Sequence, residues 1–292
     1  MSTFEQIIHF LQAEMERPGN YGSFHLIYWG LVVLATVLLI WRFRDASDRA
    51  VRRILLVVWL TMVVLEVYKQ LVFSMSVVDG VAVWDYQWYA FPFQFCSTPI
   101  FALPFAIFLP NGRVRDSFLI FFSGFSLFAG LAVMFYPNDV FIQTIGVNIQ
   151  TMTHHGAQVV IGLFLVAHNR RRMQWRSLVG SLVVFYVFVA VAVGMNEGVY
   201  AMFVERGIDE SFNMFYISRH FDCTLPILSV VYQKVPYPAF FLIYLIGFSL
   251  ISLLFFSVEK WICRIATRER KSAPRRLSKK RQPDAGILIR LR

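Results

Sequence analysis

Charged residues are scarce in this chain of 292 residues: 16% are Asp, Glu, Lys or Arg, whereas 57% are hydrophobic. A soluble domain normally carries about a quarter charged residues, so the composition excludes an ordinary soluble globular protein. Cysteines are also few, and Cys96, Cys223 and Cys263 show neither CxxC nor any other metal-binding spacing. We therefore expect no metal ion and no cofactor.

Long hydrophobic runs take the place of the missing charge. A helix needs roughly 20 residues to cross about 30 Å of hydrocarbon, and every backbone polar group there needs an internal partner. The sequence therefore predicts an all-α, polytopic membrane protein with seven transmembrane helices. The predicted spans are residues 24–41, 54–73, 91–109, 117–135, 149–168, 177–197 and 237–257.

The positive charges predict the orientation of these spans. Three alternate connectors and the C-terminal tail hold 23 of the Lys and Arg residues, whereas the segments on the other side hold 4. Basic residues concentrate on the cytoplasmic side of membrane proteins. This asymmetry predicts that the N-terminus lies outside and the C-terminus in the cytoplasm. Connectors rich in Lys and Arg alternate along the chain with connectors that have few, which also favours the count of seven.

Two terminal segments flank the predicted transmembrane domain of residues 24–257. In the outer segment 1–23, residues 3–16 place apolar side chains on one helical face, which predicts a short amphipathic helix on the membrane surface. No signal peptide is expected, because the start lacks the usual charged and apolar regions. The basic tail 258–292 fixes the topology and is expected to contact anionic lipid headgroups rather than nucleic acid.

Polar residues within the spans collect in one layer. Cys96 and His154 each lie about five residues from the outer end of a span, roughly 8 Å deep at 1.5 Å per residue. Polar groups inside a membrane are costly and mark functional sites. The outer third of the bilayer is therefore the predicted site, and its further members are Glu66, Lys69, Gln94, His155 and Asn196.

Cysteine and histidine at matching depth predict nucleophilic chemistry. A thiolate attacks an ester carbonyl far better than a thiol, and an adjacent base produces it. Pro92 suits the first turn of span three, which would put Cys96 near the positive end of a helix. His154 is the predicted base and Cys96 the predicted nucleophile, with His155 as the alternative base, since only one of two adjacent histidines is expected to face the bundle interior.

Other polar residues have supporting roles in this hypothesis. Gln94 and Asn196 are candidate donors to an oxyanion. Pro99 and Pro104 are expected to bend span three, and Gly156 to allow a neighbouring helix to approach closely. Each residue also has a purely structural interpretation. A cysteine in an apolar helix is usually an inert small hydrophobe, and Glu66 and Lys69, three residues apart, would then simply neutralise each other.

Five short motifs of the chain are distinctive: residues 91–97 (FPFQFCS), 153–156 (THHG), 213–217 (NMFYI), 223–226 (CTLP) and 235–238 (VPYP). Together they resemble the YwaF family of bacterial integral membrane proteins, to which the eukaryotic ether-phospholipid acyltransferase transmembrane protein 164 is similar. The resemblance covers roughly spans two to seven. It implies a helical membrane fold and a Cys nucleophile with a His partner, here Cys96 and His154. The chain carries Gln94 where the family pattern often has His.

The sequence supports one principal function and two alternatives. The principal hypothesis is a lipid acyltransferase or transacylase that moves an acyl chain between a phospholipid and a lysophospholipid in a bacterial cell membrane. A lipid hydrolase would use the same residues with water as acceptor. A lipid-binding protein, receptor or carrier would use the polar layer for recognition and would depend on Glu66 rather than Cys96.

Overall fold

A computed structural model describes residues 2–168 and 174–272 of the chain, and these residues are mostly helical. Residues 273–292 of the predicted basic tail, and its expected lipid contacts there, lie outside the described residues. The α-helices are α1 (Thr3–Leu11), α2 (Ser23–Phe43), α3 (Asp48–Val72), α4 (Thr98–Phe108), α5 (Arg113–Phe121), α6 (Leu127–Phe135), α7 (Ile145–His168), α8 (Trp175–Arg206), α9 (Leu228–Lys234) and α10 (Tyr237–Ser272).

Shorter elements connect these helices. Strands β1 (Met75–Val78) and β2 (Val81–Trp84) form an antiparallel hairpin, in which Met75 pairs with Trp84. A π-helical segment, Phe122–Ser126, joins α5 to α6, so that the two helices run on as one. Three 3₁₀ turns lie at Trp88–Ala90, Phe95–Ser97 and Met214–Tyr216.

Four helices of the described residues are long and apolar enough to cross a membrane: α2, the combined α5–α6, α8 and α10. The other predicted spans are also helical but differ in length or polarity. Helix α4 has 11 residues, and its apolar run with the preceding turn is Phe95–Phe108. Helices α3 and α7 carry charged or polar side chains along their length. Seven spans and the orientation of the termini therefore stay predictions.

Large apolar side chains on three helices face outward from the bundle. At least half of the surface of each of these side chains is exposed: Leu34, Val37 and Leu38 on α2, Val183 on α8 and Leu254 on α10. An exposed apolar surface of this extent is unfavourable in water and marks a contact with membrane or protein. In a bundle of long apolar helices, hydrocarbon chains of lipids satisfy it.

Helix α7 occupies the centre of the bundle. It packs against α2, α3, α6 and the π-helical segment. This position explains why a 24-residue helix is polar: its side chains meet other helices rather than lipid, so hydrogen bonds compensate their burial. Its buried polar residues are Asn148, Gln150, Thr151, His154, His155 and Gln158.

The N-terminal segment meets the end of α3 and the segment before α7 at the end of the bundle that carries the β-hairpin. The Gln12 side chain donates to Val72 O at 3.0 Å, and the backbone N–H of Met15 donates to Gln143 O at 2.6 Å. Helix α1 also packs on the hairpin, and its buried residue is Ile8. The N-terminal segment therefore lies against the fold rather than apart from it.

Basic residues hold the opposite end together. Arg115 is fully buried, and its guanidinium donates to Asp48 Oδ1 at 2.8 Å, Asn111 Oδ1 at 2.7 Å and Ala106 O at 2.7 Å. Asp48 also accepts from Arg52 at 2.9 Å. Partial burial opposes ionisation of Asp48, but the hydrogen bonds and charges of both arginines outweigh it and lower its pKa to about 2. This cluster ties the start of α3 to α4 and α5.

The low pKa of Asp48 predicts an acid-sensitive contribution to stability. Because its folded pKa lies below the ordinary value of 3.8, the stabilisation is complete above that pH and is lost as the pH falls towards about 2. Asp48→Asn should remove this contribution. The unfolding temperature of the wild type in detergent should therefore exceed that of the variant at neutral pH, and the difference should shrink in acid. Equal acid sensitivity of the two proteins would contradict the assignment.

Candidate functional site around Cys96

Cys96 lies in the 3₁₀ turn that precedes α4, not inside an α-helix. The prediction of a helix beginning at residue 91 with Pro92 in its first turn was wrong, because Pro99 occupies the first turn and residues 91–94 are not helical. Proline suits a first turn, where its missing N–H has no helical partner. Pro99 therefore starts α4 rather than bending it, whereas Pro104 lies inside the helix.

Two side chains of α7 bind the backbone carbonyl of Cys96. His154 Nε2 lies 2.9 Å from Cys96 O, and Gln158 Nε2 donates to the same oxygen at 2.8 Å. Because a carbonyl only accepts hydrogen bonds, His154 Nε2 carries the proton and Nδ1 bears the lone pair. Nδ1 is buried and has no hydrogen-bond partner. Thus Cys96 and His154 are in contact, and the basic nitrogen of His154 is available.

His155 is also buried, which corrects the expectation that only one of the adjacent histidines faces the interior. Its Nδ1 donates to Thr151 O at 2.7 Å, and its Nε2 has no partner. The two imidazole rings lie 5.5 Å apart. Both are enclosed because α7 has neighbours on several sides. On one of these, Gly156 permits the close approach of α2, since a Cβ there would lie 2.6 Å from Val32.

The Glu66–Lys69 pair stands beside this site on α3. Lys69 Nζ lies 2.7 Å from Glu66 Oε1, which also accepts from Gln70 at 2.8 Å. Both side chains are largely buried, and their charges act on Cys96 and His155. Glu66 Oε2 is buried and has no partner. The site therefore contains an ion pair of zero net charge.

Gln94 and Asn196 bind a loop backbone. Gln94 donates to Asn213 O and accepts from the N–H of Phe215, both at 3.0 Å. Asn196 donates to Met214 O at 3.0 Å and accepts from its N–H at 2.7 Å. Each amide thus bonds a donor and an acceptor of residues 213–215. One N–H of each side-chain amide is bonded there, so both residues support the loop, and their role as donors to an oxyanion stays a prediction.

The loop that these amides hold is strained and lies over Cys96. Phe215 and Tyr216 both have φ near +60°, which non-glycine residues adopt at an energetic cost and which often marks a functional site. The Phe215 ring packs 5.7 Å from that of Phe95, next to Cys96. Burial, and then the neighbouring Cys96, raises the pKa of Tyr216 to about 12. Tyr216 is therefore a neutral phenol beside the site.

Sequence reasoning missed Gln158 and Tyr216. Gln158 follows His154 by one helical turn and so lies on the same face, a signal that the sequence contains. No sequence pattern indicates that Tyr216 lies near Cys96, because the two are far apart in the chain. Cys96, Cys223 and Cys263 are all free thiols in the structure.

Apolar helices around a polar, buried α7 define this chain as a helical integral membrane protein. The TMEM164 family matches it over residues 20–259. Because this match covers most of the chain, the protein belongs to the TMEM164 family. No curated protein and no solved structure matches it. The relationship to transmembrane protein 164 is thereby confirmed, and the narrower placement among bacterial YwaF proteins stays a prediction.

Proposed function

We propose that this protein is a lipid acyltransferase or transacylase in which Cys96 is the nucleophile and His154 the general base. The observation that carries the proposal is the contact between His154 and the Cys96 backbone, which fixes the tautomer and leaves Nδ1 as a buried basic nitrogen. Membership of the TMEM164 family and the YwaF-like motifs support the same assignment.

The proposed reaction has two balanced half-reactions. The Cys96 Sγ attacks the carbonyl carbon of a phospholipid ester as its proton moves to His154 Nδ1. The ester C–O bond breaks, the imidazolium returns the proton to the departing lysolipid oxygen, and the acyl group remains as a thioester. A second lysolipid hydroxyl then attacks the thioester, with His154 again taking and returning the proton, and regenerates the thiol.

Supporting residues complete the proposed site. Gln158 holds the carbonyl of Cys96, whereas Gln94 and Asn196 hold the loop that lies over it. Phospholipid is the proposed acyl donor because the chain is a membrane protein, and because the buried His154 is shielded from water, which favours transfer over hydrolysis. We assign it to a bacterial cell membrane, with the basic tail on anionic headgroups.

Acylation of Cys96 tests this mechanism. The protein in lipid nanodiscs is treated with a phospholipid-like thioester probe, and the acylated peptide is quantified by mass spectrometry. Labelling should be absent at position 96 in Cys96→Ala and about 10²–10⁴-fold slower in His154→Ala, the usual contribution of a general base. A lysophospholipid added afterwards should remove the label faster than water does.

Cys223 provides the internal control, because its thiol is buried outside the proposed machinery. Cys223→Ala should label like the wild type. Labelling of Cys96 no faster than that of Cys223, or unchanged turnover in Cys96→Ala and His154→Ala, would overturn the proposal. Removal of the label by water alone would instead assign a lipid hydrolase.

A carrier is the second candidate function, and one observation favours it: Glu66 Oε2 is buried without a partner beside Lys69. Carriers use such intramembrane carboxyls for substrate or proton coupling. The carrier and the acyltransferase predict opposite effects of substitutions at Glu66 and Cys96, so variants at these two positions distinguish them. Glu66→Gln should abolish lipid or solute movement by a carrier, and Cys96→Ala should leave that movement intact.

A further inference from the structure

A buried carboxyl lies in α10 outside the site described above. Glu259 is 4% exposed, and its Oε2 accepts a hydrogen bond from Ser123 of the π-helical segment at 3.1 Å. Its other oxygen, Oε1, is buried and has no partner. Apolar neighbours, among them Phe256 and Ile120, form a cluster in this region. Glu259 is not among the residues of the polar outer layer that the sequence predicts.

The positively charged groups in this region bond elsewhere. The Lys260 ammonium lies 4.6 Å from the centre of the Trp175 ring, and Arg115 pairs with Asp48. His168 bonds to a backbone carbonyl of the α2–α3 connector, and the Cys263 thiol lies 3.8 Å from a carbonyl of α7. No cation therefore pairs with Glu259 among the described side chains. An uncompensated carboxylate is expensive in an apolar interior, so the neutral acid is the stable form.

A row of polar side chains extends from Glu259 along α10. Tyr244 and Ser252 precede it by fifteen and seven residues, intervals that return close to the same helical face. Tyr244 Oη, Ser252 Oγ and Glu259 Oε1 are all buried without a partner. Ser252 faces the π-helical segment, since a Cβ on Gly124 would lie 3.4 Å from its hydroxyl. Buried polar atoms arranged in this way typically bind ordered water.

The π-helical segment connects this row to Cys96. Ser123 bonds Glu259, and Ser126, one turn further along, donates to Gln158 Oε1 at 3.4 Å. The Nε2 of Gln158 in turn binds the Cys96 carbonyl that also binds His154. Polar side chains of this segment therefore lie between Glu259 and the residues that bind the Cys96 carbonyl, and π-helical segments in long helices are frequent at functional positions.

We propose that Glu259 is a proton-binding site that exchanges its proton with water held between α10 and the π-helical segment. The carboxylic acid gives its proton to a bound water molecule and takes another proton from it, so the carboxyl and the water are both neutral before and after the exchange. This proton site does not depend on the acyl chemistry proposed above.

Infrared spectroscopy of the protein in lipid nanodiscs tests the proton site. A protonated carboxyl gives a carbonyl band that shifts in heavy water. We expect the wild type to show such a band and Glu259→Gln to lack it. Glu205 has an exposed carboxyl on α8, so Glu205→Gln is the control and should retain the band. Identical spectra of wild type and Glu259→Gln would overturn the proposal, because Glu259 would then be ionised.

The exchange with water is tested by the rate at which this band shifts after transfer to heavy water. Ser252→Ala should slow the shift, whereas Ser249→Ala should not, because it removes a hydroxyl of α10 that bonds Tyr186 of α8. Equal rates in all three proteins would overturn the exchange through this water. Labelling of Cys96 by the thioester probe, measured in parallel on the wild type, separates a failure of the proton site from a failure of the acyl-transfer proposal. If the wild type shows the carboxyl band but no labelling of Cys96, only the acyl-transfer proposal is contradicted.

Discussion

Replacing Arg115 by leucine should destabilise the protein by about 1–3 kcal/mol, the usual cost of leaving a buried hydrogen-bond partner unsatisfied. The change leaves Asp48 without its partner on α5 and deprives the Ala106 carbonyl of a donor. The free energy of unfolding, measured in detergent with a denaturant, gives the effect. Arg115→Lys should restore only part of it, because an ammonium lacks the planar guanidinium geometry.

Arg113→Leu is the matched control, because Arg113 is exposed two residues earlier on the same helix. Exposed substitutions usually change stability by less than about 0.5 kcal/mol. Equal stability losses in the two variants would show that the loss of a positive charge at this end of the bundle matters, and not the buried contacts of Arg115.

Gly130→Ala should disturb both stability and the site. A Cβ at Gly130 would lie 2.8 Å from the Gln158 Cβ and 2.8 Å from the His155 carbonyl oxygen, so α6 must move away from α7. Overpacking of this kind costs about 1–3 kcal/mol. Because the contact lies on the turn that binds the Cys96 carbonyl, labelling of Cys96 should slow as well.

Gly194→Ala controls for the added methyl group, since a Cβ there meets nothing within 4 Å on α8. It should leave the thermal unfolding midpoint and the labelling rate close to those of the wild type. If Gly130→Ala behaved in the same way, the close approach of α6 to α7 would not determine the geometry of the site.

Hydrophobic patterning identified the helices that contact lipid, because residues exposed to hydrocarbon must be apolar along the whole length of a span. Helices α2, α5–α6, α8 and α10 agree with their predicted positions. The same pattern was less informative for α7, whose surroundings are protein. Composition alone does not show whether the polar residues of a central helix only pack against other helices or form a functional site.

Local sequence misplaced the start of α4 by several residues. Pro92 and Pro99 both suit a first turn, and hydropathy does not choose between them. The Gln94 side chain bonds residues 213 and 215, which belong to a loop more than 100 residues away. The nearer surroundings of Cys96 were therefore decided by tertiary contacts.

The sequence by itself determined the class of protein and the two residues, Cys96 and His154, that polarity and depth single out. Only the tertiary structure decided that they touch through a backbone carbonyl, that Gln158 shares this contact, and that Glu259 meets Ser123. The physical reason is that periodicity specifies which face of a helix is polar. Which helix that face meets depends on packing between segments far apart in the chain.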